Sequence, residues 1–434
     1  MPCLVLDFQG VPVKCTADRL ITLDWSLLMK ALRFLLPVLL LYAAPAKAVI
    51  GVIDNVPGAT LLFPRFEVDV ENDAGLDTMV TIQNASATAM LVNVTLWTDY
   101  GLPTASFPIY LTGYDTENID LRTVFKRLLP ETASAGQDPG GNISPKGPFS
   151  QDINFASCAG TLPAIASNGS LVSTEITAAH SGKPSTEYFA GKCGSYDYGD
   201  GIARGYLTAD TVNQCGGPKN VSNAGYDEKL TQQNTLLGEW LIFDNARQRV
   251  LADNAVAVEA SGSDPLTSPI NSGSKYTFYA RFVNYQAKDA REPLPTAWAG
   301  FDSQGRTDLT YWRDPGVSVA PFNCGSAPSP YPLTDKLVTA FTAAGNTVSV
   351  PAGNHFPLAS GLTPDTTLGA TSSSGWLFTN MNLTSGNGPL DSIRQSWISY
   401  RQVPRGVPAG SNLGYAAPGT QLGNAATGAD PVLP

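Results

Sequence analysis

Few side chains of this 434-residue sequence are of a type that does chemistry. Its two histidines, His180 and His355, lie far apart, each in a polar loop context. A serine triad needs a histidine beside a positioned serine, and no GxSxG elbow occurs. A catalytic zinc site would have to recruit both histidines and a carboxylate without HExxH spacing to bring two ligands onto one helix face. There is no P-loop and no GxGxxG behind a strand. Paired carboxylates remain, because a glycosidase needs only two acids roughly 5–10 Å apart and leaves no short motif. Glu67, Asp69, Asp99, Glu239, Glu292 and Asp314 are available, although carboxylates on strand exteriors ordinarily form the solvated face.

GSYDYGDGIARG (194–205) clusters Asp197 and Asp200 with glycines and tyrosines. Oxygen-rich loops of this kind hold calcium at extracellular modules, but the DxDxDG order is absent, and a tight loop beside Cys193 accounts equally for the glycines. Trp97, Trp240, Trp298, Trp312, Trp376 and Trp397 lie in or beside candidate strands. Most are expected in the core. Trp97 is the best candidate for exposure, since Val94 and Leu96 occupy the opposite face; with Asp99 it forms a candidate recognition surface for a glycan or a protein partner.

What positions these residues begins with MKALRFLLPVLLLYAAPAKA (29–48), which has the parts of a secretory signal peptide. Lys30 and Arg33 form the n-region, Phe34 to Ala44 the h-region, and Ala46-Lys47-Ala48 a cleavage site that makes Val49 the first mature residue. The apolar run is about half of the roughly 20 residues that a transmembrane helix needs, so cleavage and export to the periplasm or the medium are expected, with no anchor. Residues 1–28 show no structural period and place Asp7, Asp18 and Asp24 ahead of the n-region; they read as a start chosen too early or as a cytoplasmic extension.

Removing 1–48, which carries five basic and three acidic side chains, takes the formal charge from −10 to −12. With no basic cluster to reverse it, a surface this acidic repels phosphate backbones, and nucleic-acid binding is not expected. Cys158, Cys193, Cys215 and Cys324 survive export, an even count that argues for two disulfides in an oxidising compartment. Three connectivities are open. Loop length favours Cys193–Cys215 with Cys158–Cys324, and a zinc site built from all four thiolates lacks any CxxC pair.

The 41 glycines and 33 prolines disfavour long helices and suit short strands joined by turns. From Ala59 to Phe125 period-two alternation recurs. It runs through Phe66/Val68/Val70, then Val80/Ile82, then Val92/Val94/Leu96, with a hairpin expected across Asn84-Ala85-Ser86, and on to Ile109/Leu111 and Ile119/Leu121. Further candidates are 202–213, 239–245, 249–260, 336–344, 346–352, 375–383 and 394–402. KYTFYARFVNY (275–285) is apolar on both faces and predicts a strand buried on two sides. The expected organisation is an N-terminal β-sandwich unit at 49–129, a linker loop at 130–150, a disulfide-bearing β-rich unit at 151–402, and an irregular tail at 403–434. The fold class is all-β: two packed immunoglobulin-like antiparallel sandwich units with long loops.

GATLLFPRFEVD (58–69), NASATAMLVNVTLWTDYGLPT (84–104), YLTGYD (110–115), REPLPTAWA (291–299) and TDLTYWRD (307–314) resemble a family of uncharacterised bacterial secreted proteins. The resemblance implies an exported all-β protein and supplies no activity, cofactor or catalytic residue. The function expected is a non-enzymatic structural or binding module without a cofactor; the alternative is a secreted, glycosidase-like hydrolase using paired carboxylates.

Overall fold

Alternation of apolar residues produces strands wherever a second sheet is present to cover the apolar face. The computed structural model describes residues 56–126, 171–213, 220–245, 249–260, 277–282, 290–295, 297–302, 307–314, 319–326, 337–342, 344–350, 356–363, 375–381, 395–402, 415–418 and 420–423. The first strands are β1 (Thr60–Val68), β2 (Leu76–Asn84), β3 (Met90–Thr98), β4 (Pro103–Leu111) and β5 (Thr116–Asp120). Three helices follow, α1 (Leu121–Phe125), α2 (Leu171–His180) and α3 (Thr186–Phe189). Next come β6 (Ala203–Val212), β7 (Leu236–Asp244), β8 (Arg249–Asn254) and β9 (Val256–Val258). Then run β10 (Ala297–Asp302), β11 (Thr307–Arg313), β12 (Leu337–Thr342), β13 (Thr347–Val348), β14 (Ser360–Thr363), β15 (Gly375–Asn380), β16 (Ser396–Gln402), β17 (Tyr415–Pro418) and β18 (Thr420–Gly423).

These strands form four antiparallel sheets, as the all-β class requires. Sheet 1 runs β5-β2-β7-β8, sheet 2 β4-β3-β6-β1-β9, sheet 3 β14-β11-β16-β17 and sheet 4 β13-β12-β15-β10-β18. One apolar core joins Val80, Ile82, Trp240 and Ile242 of sheet 1 to Leu61, Val92, Val94 and Leu96 of sheet 2. A second runs from Leu62, Leu91 and Trp97 of sheet 2 through Trp312 and Trp397 of sheet 3 to Trp298 and Leu377 of sheet 4. Sheet 2 is therefore covered on both faces, and all nine residues of β3 are buried. β6 lies between β3 and β1, so strands on the two sides of 130–150 share one sheet; that segment itself lies outside the described residues.

Several expectations are corrected. β2 and β3 do not form a hairpin: β2 pairs with β5 and β7, and β3 with β4 and β6. Asn84 closes the connection instead, donating from Nδ2 to the carbonyls of Thr88 and Thr112 at 2.6 and 2.9 Å, so the chain crosses between sheets there. The described part of 275–285, residues 277–282, is a turn with local bonds from Ala280 N to Thr277 O and from Phe282 N to Tyr279 O. Phe278, Tyr279 and Ala280 are nonetheless buried, Phe278 stacking on Trp312, and the half-buried Phe282 packs on Trp97; an apolar turn packed on the core fits the same residues as a strand would. The tail is not wholly irregular, since β17 and β18 add edge strands to sheets 3 and 4.

A polar network crosses the second core. Asp210 on β6, 1% exposed, accepts from Thr60 Oγ1 at 2.5 Å, Tyr226 OH at 2.9 Å and Tyr279 OH at 2.9 Å. The Arg291 guanidinium lies 3.8 Å away and donates to Thr60 Oγ1 at 2.5 Å. A buried carboxylate is tolerated only with such a set of partners, and here the partners come from four separate stretches of chain.

Candidate functional site

The cleft of interest lies where edge strand β14 meets β1 and β6. Glu67 and Arg204 are directly opposed across the β1–β6 ladder, which places their side chains on one face within reach of each other. Arg204 Nε donates to Glu67 Oε1 at 2.9 Å, and its Nη1 and Nη2 take both oxygens of Asp200 at 2.8 and 2.7 Å. Arg65, two residues before Glu67, adds Nη2 to the same Oε1 at 2.7 Å. The register of β1 shifts between Phe63 and Phe66; Pro64, which has no N–H to give the ladder, sits in that irregularity and offers its carbonyl to Ser360 Oγ at 2.6 Å. Gly205 lets the strands close up here, because a Cβ would fall 1.9 Å from the Trp97 carbonyl oxygen.

Arg65, Phe66, Glu67, Tyr198, Arg204, Gly205, Ser360, Gly361 and Leu362 line a cleft of about 170 Å³. Burial pulls the Glu67 carboxyl upward, but the two guanidinium groups outweigh it and hold the group below the usual range. Glu67 is therefore an ionised acceptor. Arg65 Nη1 is buried with no hydrogen-bond partner among the described residues. A desolvated donor left unpaired costs roughly 1–3 kcal/mol.

The rim is the 194–202 segment. Cys193 is bonded to Cys324, and a backbone bridge joins Cys193 to Phe322. Lys183 holds Asp197 at 2.6 Å, and Gly199 and Gly201 adopt φ of 74° and 73°, where a side chain would be strained. This frame presents Tyr196 and Tyr198 to solvent, 50% and 45% exposed. Their rings meet edge to face at 4.7 Å, and Arg204 lies over Tyr198 at 4.3 Å.

The two recognition residues expected on the surface are both buried. Trp97 is 1% exposed: it stacks on Tyr206 with ring centroids 5.6 Å apart and donates to Thr208 Oγ1 at 2.9 Å. The inference from Val94 and Leu96 assigned the faces rightly, but sheet 3 covers the face that Trp97 occupies. Trp240, Trp298, Trp312 and Trp397 are in the cores as expected, and among the described tryptophans Trp376 is the exposed one. Asp99 lies beneath the rim, accepting the Tyr196 amide at 3.2 Å and giving its backbone carbonyl to Ala359 and Ser360. Burial raises its carboxyl pKa to about 8.

His180 ends α2 instead of sitting in a polar loop. It is buried against Phe66 and Phe125. Nδ1–H donates to the Arg204 carbonyl at 3.0 Å, which leaves Nε2 to accept from Thr104 Oγ1 at 2.7 Å. Burial lowers its pKa to about 4, so the imidazole is neutral and structural.

Of the other carboxylates, Asp314 pairs with Arg281 at 3.0 Å, Glu239 is exposed on sheet 1, and Asp69 accepts the Asn72 amide at 3.1 Å. Glu292 is raised to about 7 by burial and by Glu259. The structure gathers Glu67 and Asp200 around Arg204 and scatters the rest. Asp197 and Asp200, considered for calcium, each already hold a cationic side chain. Among the described residues no group of His, Cys, Asp and Glu is arranged to hold a metal ion.

Cys193 pairs with Cys324, which corrects the Cys193–Cys215 and Cys158–Cys324 expectation; a backbone bridge, not loop length, brings the two together. Cys158, Cys215, His355, Ala48 and Val49 lie outside the described residues. Sequence reasoning missed Arg65, Tyr198 and Arg204. The available signals were the Arg-x-Glu spacing of 65–67, which shares one strand face, and Arg204 four residues after Asp200.

The fold and this cleft define a class, an antiparallel β-sandwich-like protein with a rigidly framed, mixed-charge cleft. Comparison with family models, with curated proteins and with solved structures finds no match to the chain. Among the described residues no helix is long and apolar enough to cross a membrane.

Proposed function

We propose that this chain is an exported binding protein whose recognition site is the Arg65/Glu67/Tyr198/Arg204 cleft, with a glycan or protein as its extracellular partner. The single observation that carries this is a cleft in which Arg65 and Arg204 hold Glu67 ionised beside the exposed Tyr198, with a rim held by a disulfide, ion pairs and αL glycines. Recognition sites hold their charged and aromatic side chains in fixed positions through supporting contacts. Export is supported by the signal-like segment at 29–48, and by the resemblance of the FPRFEVD, YLTGYD and REPLPTAWA stretches to secreted proteins.

The test has two parts. Intact mass of protein recovered from outside the cytoplasm should begin at Val49; an unprocessed chain refutes export. Thermal unfolding is then followed with a panel of sugars, amino acids, organic anions and peptides. A stabilising ligand should lose its effect in Tyr198→Ala, and a panel without any effect refutes the binding site.

A second function, hydrolysis by paired carboxylates, is favoured by the raised pKa of Asp99. It has against it that Asp99 is buried under the rim, while Glu67 is neutralised by two guanidinium groups. Hydrolysis of a glycoside panel lost in Asp99→Asn would overturn the non-enzymatic assignment.

A further inference from the structure

β7 has the composition of a strand covered on both sides, yet the fold covers one. Its sequence, LLGEWLIFD, is a near-continuous apolar run, the pattern of strands buried on two faces. Leu236, Trp240 and Ile242 point into the core shared with sheet 2, and the residues between them point the other way. Register across sheet 1 sets Met79 beside Leu241 and Ala252, and Phe243 beside Val250, on one outer face. Met79, Leu241 and Phe243 are half-buried, Ala252 is exposed and Val250 is 54% exposed. None of them belongs to an apolar core among the described residues. The face is also hollowed: Met79, Leu241, Ala252 and Glu239 line a concavity of about 330 Å³. Contiguous apolar surface of this kind marks a place where another molecule docks.

Charge decides what docks there. The cross-strand rows of this face are Asp77-Phe243-Val250, Asp120-Met79-Leu241-Ala252 and Asn118-Thr81-Glu239-Asn254. They hold three carboxylates and no lysine or arginine. Asp77 is paired with Arg122, whose remaining donors go to backbone carbonyls of the 69–76 turn. Asp120 and Glu239 have no ion-pair partner among the described residues. A second copy stacked on this face would set Asp120 and Glu239 of each chain against those of the other, in chains of net charge −10, and like charges so placed repel. A lysine or arginine side chain fits instead, because its methylene stem lies along apolar surface while its charged head seeks a carboxylate.

We propose that the outer face of sheet 1 docks a cationic amphipathic segment of another protein, its apolar side lying on Met79, Leu241, Phe243 and Val250 and a lysine or arginine head meeting Glu239. This surface is the face of sheet 1 turned away from sheet 2, so the proposal stands independently of the Arg65/Glu67/Tyr198/Arg204 cleft.

The test uses the full chain and fluorescence anisotropy with three labelled peptides: an amphipathic Leu/Lys peptide, the same pattern with Glu in place of Lys, and the same pattern with Ser in place of Leu. The Leu/Lys peptide should bind, and added salt should weaken it. Glu239→Lys, at an exposed position, should weaken it about tenfold, since an attraction becomes a repulsion. Val250→Ser, also exposed, should weaken it several-fold through lost apolar contact, and Tyr198→Ala in the cleft should leave it unchanged; equal unfolding midpoints show that the variants keep the fold. Leu/Lys binding that neither face variant alters would overturn the proposal as general attraction to an acidic chain. Preference for the Leu/Glu peptide, Ser/Lys binding as tight as Leu/Lys binding, or no binding of any peptide would each overturn it too. A dimer in sedimentation velocity that Val250→Ser disperses would overturn it by assigning the face to a second copy.

Discussion

Asp99→Asn removes one titration from the interior while keeping the size of the side chain and an acceptor for the Tyr196 amide. In the folded protein burial raises the Asp99 pKa to about 8, whereas an unfolded aspartate titrates near 3.9. The folded state therefore holds a proton that the unfolded state has released. Stability from this group is fully present below about pH 4 and is lost as pH rises through 8. One pK unit corresponds to about 1.36 kcal/mol, so between pH 4 and 7 the wild type loses on the order of 4 kcal/mol through Asp99, and the asparagine variant loses none of it. Asp77, raised to about 6, and Glu117 and Glu292, raised to about 7, titrate alike in both proteins and drop out of the difference. Guanidinium unfolding of both proteins, followed by tryptophan fluorescence with the disulfide intact, gives each free energy by linear extrapolation. The variant-minus-wild-type difference should grow by roughly 1.4 kcal/mol per pH unit from 4 to 8. Parallel pH profiles would refute a neutral, buried Asp99.

His180→Gln should show the opposite sign: the folded pKa of about 4 lies below the unfolded value near 6.5, so the wild type gains stability on the order of 3 kcal/mol as pH rises from 4 to 6.5, a rise the variant lacks in the same unfolding series. Non-reducing peptide mapping should yield a Cys193–Cys324 peptide, and Cys193→Ser should lower stability by roughly 2–5 kcal/mol; a Cys193–Cys215 peptide would contradict the structure. Trp97→Ala should cost about 3–5 kcal/mol in denaturant unfolding, as for a large core truncation, whereas a surface residue would change stability by less than about 0.5 kcal/mol. Asp210→Ala strips Thr60, Tyr226 and Tyr279 of a shared buried acceptor beside Arg291 and should cost about 3–5 kcal/mol; a loss below about 1 kcal/mol would mean that the network does not bind the second core together.

Within each strand the sequence is an accurate guide, because neighbouring side chains must alternate faces. It identified β1 to β5 and assigned Val92, Val94 and Leu96 to a common face, the one that packs on sheet 1. It could not reveal that sheet 3 lies against the other face. Asn93 and Thr95 look like solvated positions in LVNVTLW, yet both are buried, Asn93 donating to Ser106 Oγ and Tyr226 OH at 3.0 Å each. A polar residue is admitted to the interior when partners meet its hydrogen bonds, and those partners lie 13 and 133 residues away. The same blindness misplaced Trp97 and Asp99.

By itself the sequence determined the all-β class and the apolar face of each early strand, through a period-two pattern and an abundance of turn residues. Which strands pair, and so which residues share the cleft, was decided only by the tertiary structure. Arg65 and Glu67 meet Arg204 because β1 lies beside β6, and Ser360 joins them because sheet 3 lays its edge strand on sheet 2. The physical reason is range. Alternation is imposed by local backbone geometry and is written in consecutive residues, whereas the satisfaction of a buried guanidinium or carboxylate depends on groups that the chain brings together only when it folds.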